Sequence, residues 1–130
     1  MSVSIDIKGV DELIRKLGTI GAMKTLRPAM KDSVNLLHQS TGRYPPPRAG
    51  SSYVRTDVLK NSYTTKIETT PRSMIGKVGT NLGYAPFVQS HQFQAWMHKG
   101  RWPTDLDIME KNRPAIVAKF EQAINKAINK

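Results

Sequence analysis

Residues 25–41, TLRPAMKDSVNLLHQST, decide the fold. Leu26, Met30, Val34, Leu37 and Thr41 recur every three or four residues, the spacing of one face of an amphipathic helix. Thr25 suits an N-cap, Pro28 falls in the first turn where its missing N–H removes no bond, and Gly42 is a natural stop. An apolar face of that length needs a cover, and the flanking sequence supplies one.

On the N-terminal side, Val3, Ile5 and Ile7 alternate with polar residues, which predicts a short strand with one buried face. A short helix follows, with Asp11 able to cap it, Leu13 and Leu17 sharing a face, and Gly18 and Gly21 ending it. On the C-terminal side, residues 56–61, TDVLKN, make one helical turn capped by Thr56. Tyr63, Thr65 and Ile67 then alternate, ETTPRS is turn chemistry, and Met74, Gly76 and Val78 alternate again, so residues 62–80 read as a β-hairpin. Tyr84, Ala85, Phe87 and Val88 form an apolar patch that leads into a further extended segment. Thr104 and Asp107 make a capping-box-like pair, Pro114 suits a first helical turn after Asn112, and Ile116, Phe120, Ile124 and Ile128 mark a C-terminal helix.

The predicted class is therefore α+β: a small antiparallel β-sheet packed on a long amphipathic helix, with a short N-terminal helix and a C-terminal helix. In this arrangement Leu26, Met30, Val34 and Leu37 are buried beneath Tyr63, Ile67 and Val78. A chain of 130 residues fits a single domain, residues 1–130, and can bury a core without staples. The stretch GRYPPPRAGSSY, with three consecutive prolines, reads as a mobile Pro-rich loop at about 43–55 within that domain.

Composition narrows the function classes. Twenty Lys and Arg against ten Asp and Glu give a net charge of +10, and residues 43–104 hold nine bases and two acids, hence +7 of it. Such a domain favours polyanions, nucleic acid or acidic protein surfaces. No cysteine is present, which removes disulfides and thiolate chemistry and fits the cytoplasm. No apolar run approaches a membrane span and the N-terminus lacks signal-peptide character, so neither a membrane association nor secretion is expected.

Catalytic patterns are weak. Asp105, Asp107 and Glu110 cluster where they would open a helix, a place where carboxylates stabilise the helix dipole. With a histidine they are the only basis for a hydrolase. His91 and His98 are seven residues apart without a metal-ligand pattern, and GKVGTNLG lacks the features of a phosphate loop. No cofactor and no metal are expected. The segment QFQAWMHKGRW interleaves aromatic and basic residues, as nucleic-acid grooves and protein interfaces both do. The candidate assembly interface comprises Arg43, Tyr44, Arg48, Tyr53 and Arg55 from the proline loop and Trp96, Lys99, Arg101 and Trp102 from the aromatic-basic segment.

One resemblance spans most of the chain. A "G.deL..kL" start at Gly9 to Leu17, a long helix, a proline-bearing loop, Arg55, Thr56, Leu59 and Ser62 as a loop-to-strand motif, and Tyr84, Ala85 and Val88 as a second motif occur in order. In this the sequence resembles the head-tail joining, neck or tail-completion proteins of siphophages and related prophages. It departs at Asp57, where that family commonly has Gly, and at Gln89, Ser90 and His91, where it has an acid and Gly. The resemblance implies a non-enzymatic virion protein of the neck, made in the host cytoplasm. It would stand in a ring of its own copies, between a head-side connector and a tail-tube or tail-terminator protein, with non-specific contact with DNA. The alternative is a small basic nucleic-acid-binding protein.

Overall fold

The computed structural model describes residues 2–8, 10–43 and 58–128. Within them the elements are β1 (Ser2–Ile7), α1 (Asp11–Thr41), α2 (Val58–Ser62), β2 (Thr64–Thr70), β3 (Ser73–Gly79), α3 (Ala85–Gln89), a short 3-10 helix (Trp96–His98) and α4 (Asp105–Ile128). The fold is mixed α+β, with a three-stranded antiparallel sheet in the order β1-β3-β2 and the long helix lying on it.

The alternation of period two fixes which sheet face is dry. Val3 pairs with Val78, Ile5 with Gly76 and Ile7 with Met74 across β1 and β3, while Thr65 and Ile67 of β2 oppose Val78 and Gly76. These residues share one face. The other face carries Ser4, Asp6, Lys66, Glu68 and Lys77, and there Glu68 pairs with Lys66 (3.0 Å) and Lys77 (3.5 Å). The hydrogen bond and charge of Lys66, then the charge of Lys77, hold the Glu68 carboxyl below its usual range. The hairpin β2–β3 closes through Pro71 and Arg72, with Thr70 opposite Ser73.

Leu26, Met30 and Leu37 of α1 are fully buried and Val34 nearly so, together with Tyr63 and Val78, while Ile67 is partly buried at the margin of the same core. Gly76 lets the helix come close: a Cβ there would stand 2.5 Å from Val34 Cγ2 and nearer still to Met30 Sδ. Against α1 also packs α4, which reaches β1 as well and adds its buried Ile108, Ile116 and Phe120 to the same core. Buried Asn112 donates from Nδ2 to Ser40 Oγ (2.9 Å) and to the Ile108 carbonyl (2.7 Å), fixing α4 against the last turn of α1.

The structure corrects several boundaries. The expected short and long helices meet at Gly18 (φ 76°, ψ 167°), a conformation that glycine alone adopts cheaply, so α1 is two helical segments joined across a kink there. Gly21 does not stop it and Thr25 is not a cap; the Thr25 hydroxyl donates to the Gly21 carbonyl inside the helix (2.9 Å). Burial of Ala22 and Leu26 carries the chain through Gly21, and Pro28 sits in the interior on the exposed face. Val10, not Asp11, is the N-cap, and Asp11 reaches Arg72 across to the hairpin turn (3.6 Å). Gly42 does end the helix but at φ −90°, so its left-handed freedom is unused; the Lys60 side chain fills the place of a Cβ.

The C-terminal helix likewise starts earlier than Pro114. Thr104 and Asp107 form a reciprocal box, the Thr104 N–H donating to Asp107 Oδ2 (3.0 Å) and the Asp107 N–H to Thr104 Oγ1 (3.1 Å). That cap nucleates α4 at Asp105, and Pro114 becomes an exposed interior residue. The one-turn helix after the proline loop is Val58–Ser62; its expected cap, Thr56, lies outside the described residues, as does most of the loop expected to be mobile.

Candidate interface surface and basic cleft

The chain between β3 and α4 holds five of the nine aromatic residues together with Lys99 and Arg101, and it does not run extended as its composition suggested. Pro86 enters α3 near its start and Ala85 and Gln89 are buried. The Tyr63 hydroxyl donates to Gln89 Oε1 (2.8 Å), and Gln89 Nε2 donates to the Thr41 carbonyl (3.4 Å). One buried amide therefore ties α3 to the start of β2 and to the end of α1. Burial, and then the nearby Asp105 carboxylate, push the Tyr63 hydroxyl pKa well above its ordinary value, so it stays a donor at neutral pH.

After α3 the backbone folds back on itself. The Ala95 N–H donates to the Phe87 carbonyl (2.7 Å), and Gln94 Nε2 bridges the carbonyls of Val88 (2.7 Å) and Trp102 (3.1 Å). The His91 N–H donates to Asp105 Oδ1 (2.9 Å), with His91 Nδ1 at 2.7 Å from the same oxygen, which anchors the segment to the first residue of α4. The N–H groups of Arg101 and Trp102 both donate to the His98 carbonyl, Gly100 turns at φ 77°, and the His98 ring meets Trp102 edge to face at 5.9 Å.

Held this way, the segment turns its aromatics outward. Trp96 is 80 % exposed, Phe93 63 % and Phe87 58 %, with Tyr84 and Met97 also exposed. Of the apolar patch, Val88 is half-buried, whereas Tyr84 and Phe87 are exposed because α3 buries Ala85 and Gln89 instead. Tyr84, Phe87, Phe93, Trp96 and Met97, exposed within fourteen residues, make this segment the candidate interaction surface.

Beside it, the end of α1 opens a cleft of about 420 Å³ lined by Ser40, Arg43, Arg101, Trp102, Asp107 and Lys111. Three cations thus converge from three chain segments, and Lys60 lies next to them along Gly42, a Cβ on which would be 3.1 Å from Lys60 Cε. Asp107, whose Oδ2 accepts the Thr104 N–H, is the one carboxylate in the lining, so three cations face a single anion.

Of the candidate interface residues, Arg43, Arg101 and Trp102 meet in this cleft, while Trp96 and Lys99 are solvent-exposed on the adjoining segment. Tyr44, Arg48, Tyr53 and Arg55 lie outside the described residues. Lys60 and Lys111 escaped the sequence reading: Lys60 is the one lysine of α2 and Lys111 one of three spread along α4, and only the approach of α2 and α4 to the end of α1 gives them company. The acids of the hydrolase reading have structural partners: Asp105 holds His91, Asp107 caps α4, and Glu110 pairs with Arg113 (3.3 Å). Among the described residues no group of three His, Cys, Asp or Glu could hold a metal ion, and no helix is long and apolar enough to cross a membrane. Compared with known proteins, the chain matches no protein-family model, no curated protein and no solved structure.

Proposed function

We propose that this chain is a structural virion protein of the phage neck, a head-tail joining or tail-completion protein that joins the DNA-filled head to the tail as part of a ring. The observation that carries the reading is the outward-facing aromatic surface of Phe87, Phe93 and Trp96 on a backbone pinned by Gln94 and the His91–Asp105 contacts. A ring needs a heterologous interface, in which one surface of a copy meets a different surface of the next. Outside the aromatic segment, Val117 and Ile128 are exposed aliphatic side chains on α4, each available to an aromatic anchor of the next copy. Buried aromatic anchors of this kind carry most of the energy of protein interfaces. The motif order described for neck proteins adds the identity of the assembly, and the structural roles of Asp105, which holds His91, and Asp107, which caps α4, favour a non-enzymatic part.

Deleting the gene tests this directly. Filled heads and separate tails are expected, with joining restored by the wild-type chain but not by a folded Trp96→Ser variant; normal infectious particles without the chain overturn it. The alternative, a dedicated nucleic-acid-binding protein, draws its support from the basic cleft, and it predicts normal particles together with duplex binding that persists at physiological salt.

A further inference from the structure

The sheet has two edges, and they are finished differently. α4 packs beside β1, whereas β2 pairs with β3 on one side and, among the described residues, no strand pairs with its other side. Its seven residues, Thr64–Thr70, run in unbroken register with β3, without proline or bulge, and five of them are exposed. A regular edge of this kind presents N–H and C=O groups that another strand can use. Charge does not blunt it, because Lys66 and Glu68 pair with each other (3.0 Å) and leave the strand neutral.

We propose that the free chain pairs with a second copy of itself through β2, edge to edge and antiparallel about Ile67, joining two three-stranded sheets into one. The strand, TTKIETT, is its own complement when reversed. Turned about Ile67 it sets Thr64 opposite Thr70 of the second copy, Thr65 opposite Thr69, Lys66 opposite Glu68, and Ile67 opposite its own counterpart. Opposite residues share a sheet face, so Thr65 and Ile67 continue the dry face while Lys66 and Glu68 continue the wet one. A slip by one residue mixes the two faces, and a slip by two sets Lys66 against Lys66 or Glu68 against Glu68. A parallel pairing in register sets both like charges together. Because the two-fold passes through a residue, each alternate set of N–H and C=O groups maps onto itself, and the ladder closes whichever set points outward. Such a contact is complete with two copies, unlike the heterologous contact of a ring. The proposal therefore goes beyond the neck reading, and since dimerisation and particle joining are measured separately, either can fail alone.

The test is sedimentation velocity of the full chain from about 1 to 500 μM, a range suited to a contact of this modest size. The wild type should pass from monomer to dimer as concentration rises. Lys66→Glu and Glu68→Lys each set like charges opposite one another and should weaken self-association roughly tenfold or more. Mixed together, the two variants should form a heterodimer, since every carboxylate then meets an ammonium across the seam, and the double variant K66E/E68K should dimerise as the wild type does. Lys126→Glu, the same charge change on α4, should leave association unchanged. Far-UV circular dichroism checks that each single variant is folded; where one is not, the double variant decides. A wild type still monomeric at about 500 μM overturns the proposal. So does a dimer that neither single variant weakens, an equal effect of Lys126→Glu, or a folded double variant that stays monomeric.

Discussion

Replacing Gly76 by alanine is the sharpest perturbation of the fold, because a single methyl group lands on the seam between helix and sheet. A Cβ at this position would lie 2.5 Å from Val34 Cγ2 and 3.2 Å from Met30 Cγ, and nearer than either to Met30 Sδ. Carbon contacts are comfortable near 3.5–4.0 Å, so α1 must lift by about 1 Å or Met30 and Val34 must leave their rotamers. Both neighbours are essentially fully buried and have little room to move. Overpacking of this kind costs about 1–3 kcal/mol, offset by the roughly 0.5–1 kcal/mol that alanine gains over glycine in an ordered strand. The net expectation is a loss of about 1–2 kcal/mol, a fall in Tm of roughly 3–10 °C for a chain of this size, read by thermal or urea unfolding. Shortening the obstructing side chain should relieve it: Met30→Ala combined with Gly76→Ala should cost at least ~1 kcal/mol less than the two changes summed. Strict additivity, or a Gly76→Ala protein more stable than the parent, would refute this account of how α1 seats on the sheet.

Three further outcomes follow from the same structure. Thr104→Ala and Asp107→Ala should each destabilise by about 1 kcal/mol and the pair by clearly less than the sum in chemical unfolding, since either change breaks the shared capping box. Tyr63→Phe should cost about 1–2 kcal/mol at neutral pH by leaving buried Gln89 Oε1 without its donor. Because the Tyr63 pKa is raised on folding, the native state keeps that proton longer than the unfolded chain. The wild type should therefore hold its stability below pH 10.0, the ordinary tyrosine value, and lose it above, with the difference from Tyr63→Phe shrinking there; parallel profiles would contradict this. Asn112→Leu should cost about 1–3 kcal/mol in unfolding experiments, by removing the hydrogen bond that ties α4 to Ser40 at the end of α1.

Periodic burial was legible in the sequence and punctuation was not. Leu26, Met30, Val34 and Leu37, the β2–β3 hairpin and the alternation of Met74, Gly76 and Val78 were all readable, because each reflects a spacing that a dry face imposes. Gly21, Thr25 and Pro28 carry breaking or capping chemistry, but the burial of Ala22 and Leu26 outweighs it, and Gly18 alone interrupts α1. Pro114 misled in the same way once the Thr104–Asp107 box had started α4 upstream. Between β3 and α4 no period exists to be read: its shape comes from side chain to backbone bonds made by Gln94, His91 and Gln89, which no local pattern announces.

For the candidate surfaces the division is similar. Trp96, Lys99, Arg101 and Trp102 were legible as a basic-aromatic string, and the structure then sorts them, sending Trp96 outward and drawing Arg101 and Trp102 into the cleft with Arg43. Lys60 and Lys111 join only through tertiary contact. At Gln89 the residue type has a physical reason. Its amide accepts from Tyr63 and donates to the Thr41 carbonyl, and a carboxylate could not supply that second bond.

The central claim, that this chain is a ring-forming neck protein, is tested most directly by cryo-electron microscopy of assembled particles. The account predicts a closed ring of this fold between the head connector and the tail, with Phe87, Phe93 and Trp96 of each copy buried against the neighbouring one. A neck in which no density fits this chain, or a ring that leaves those three aromatics in solvent, would contradict it.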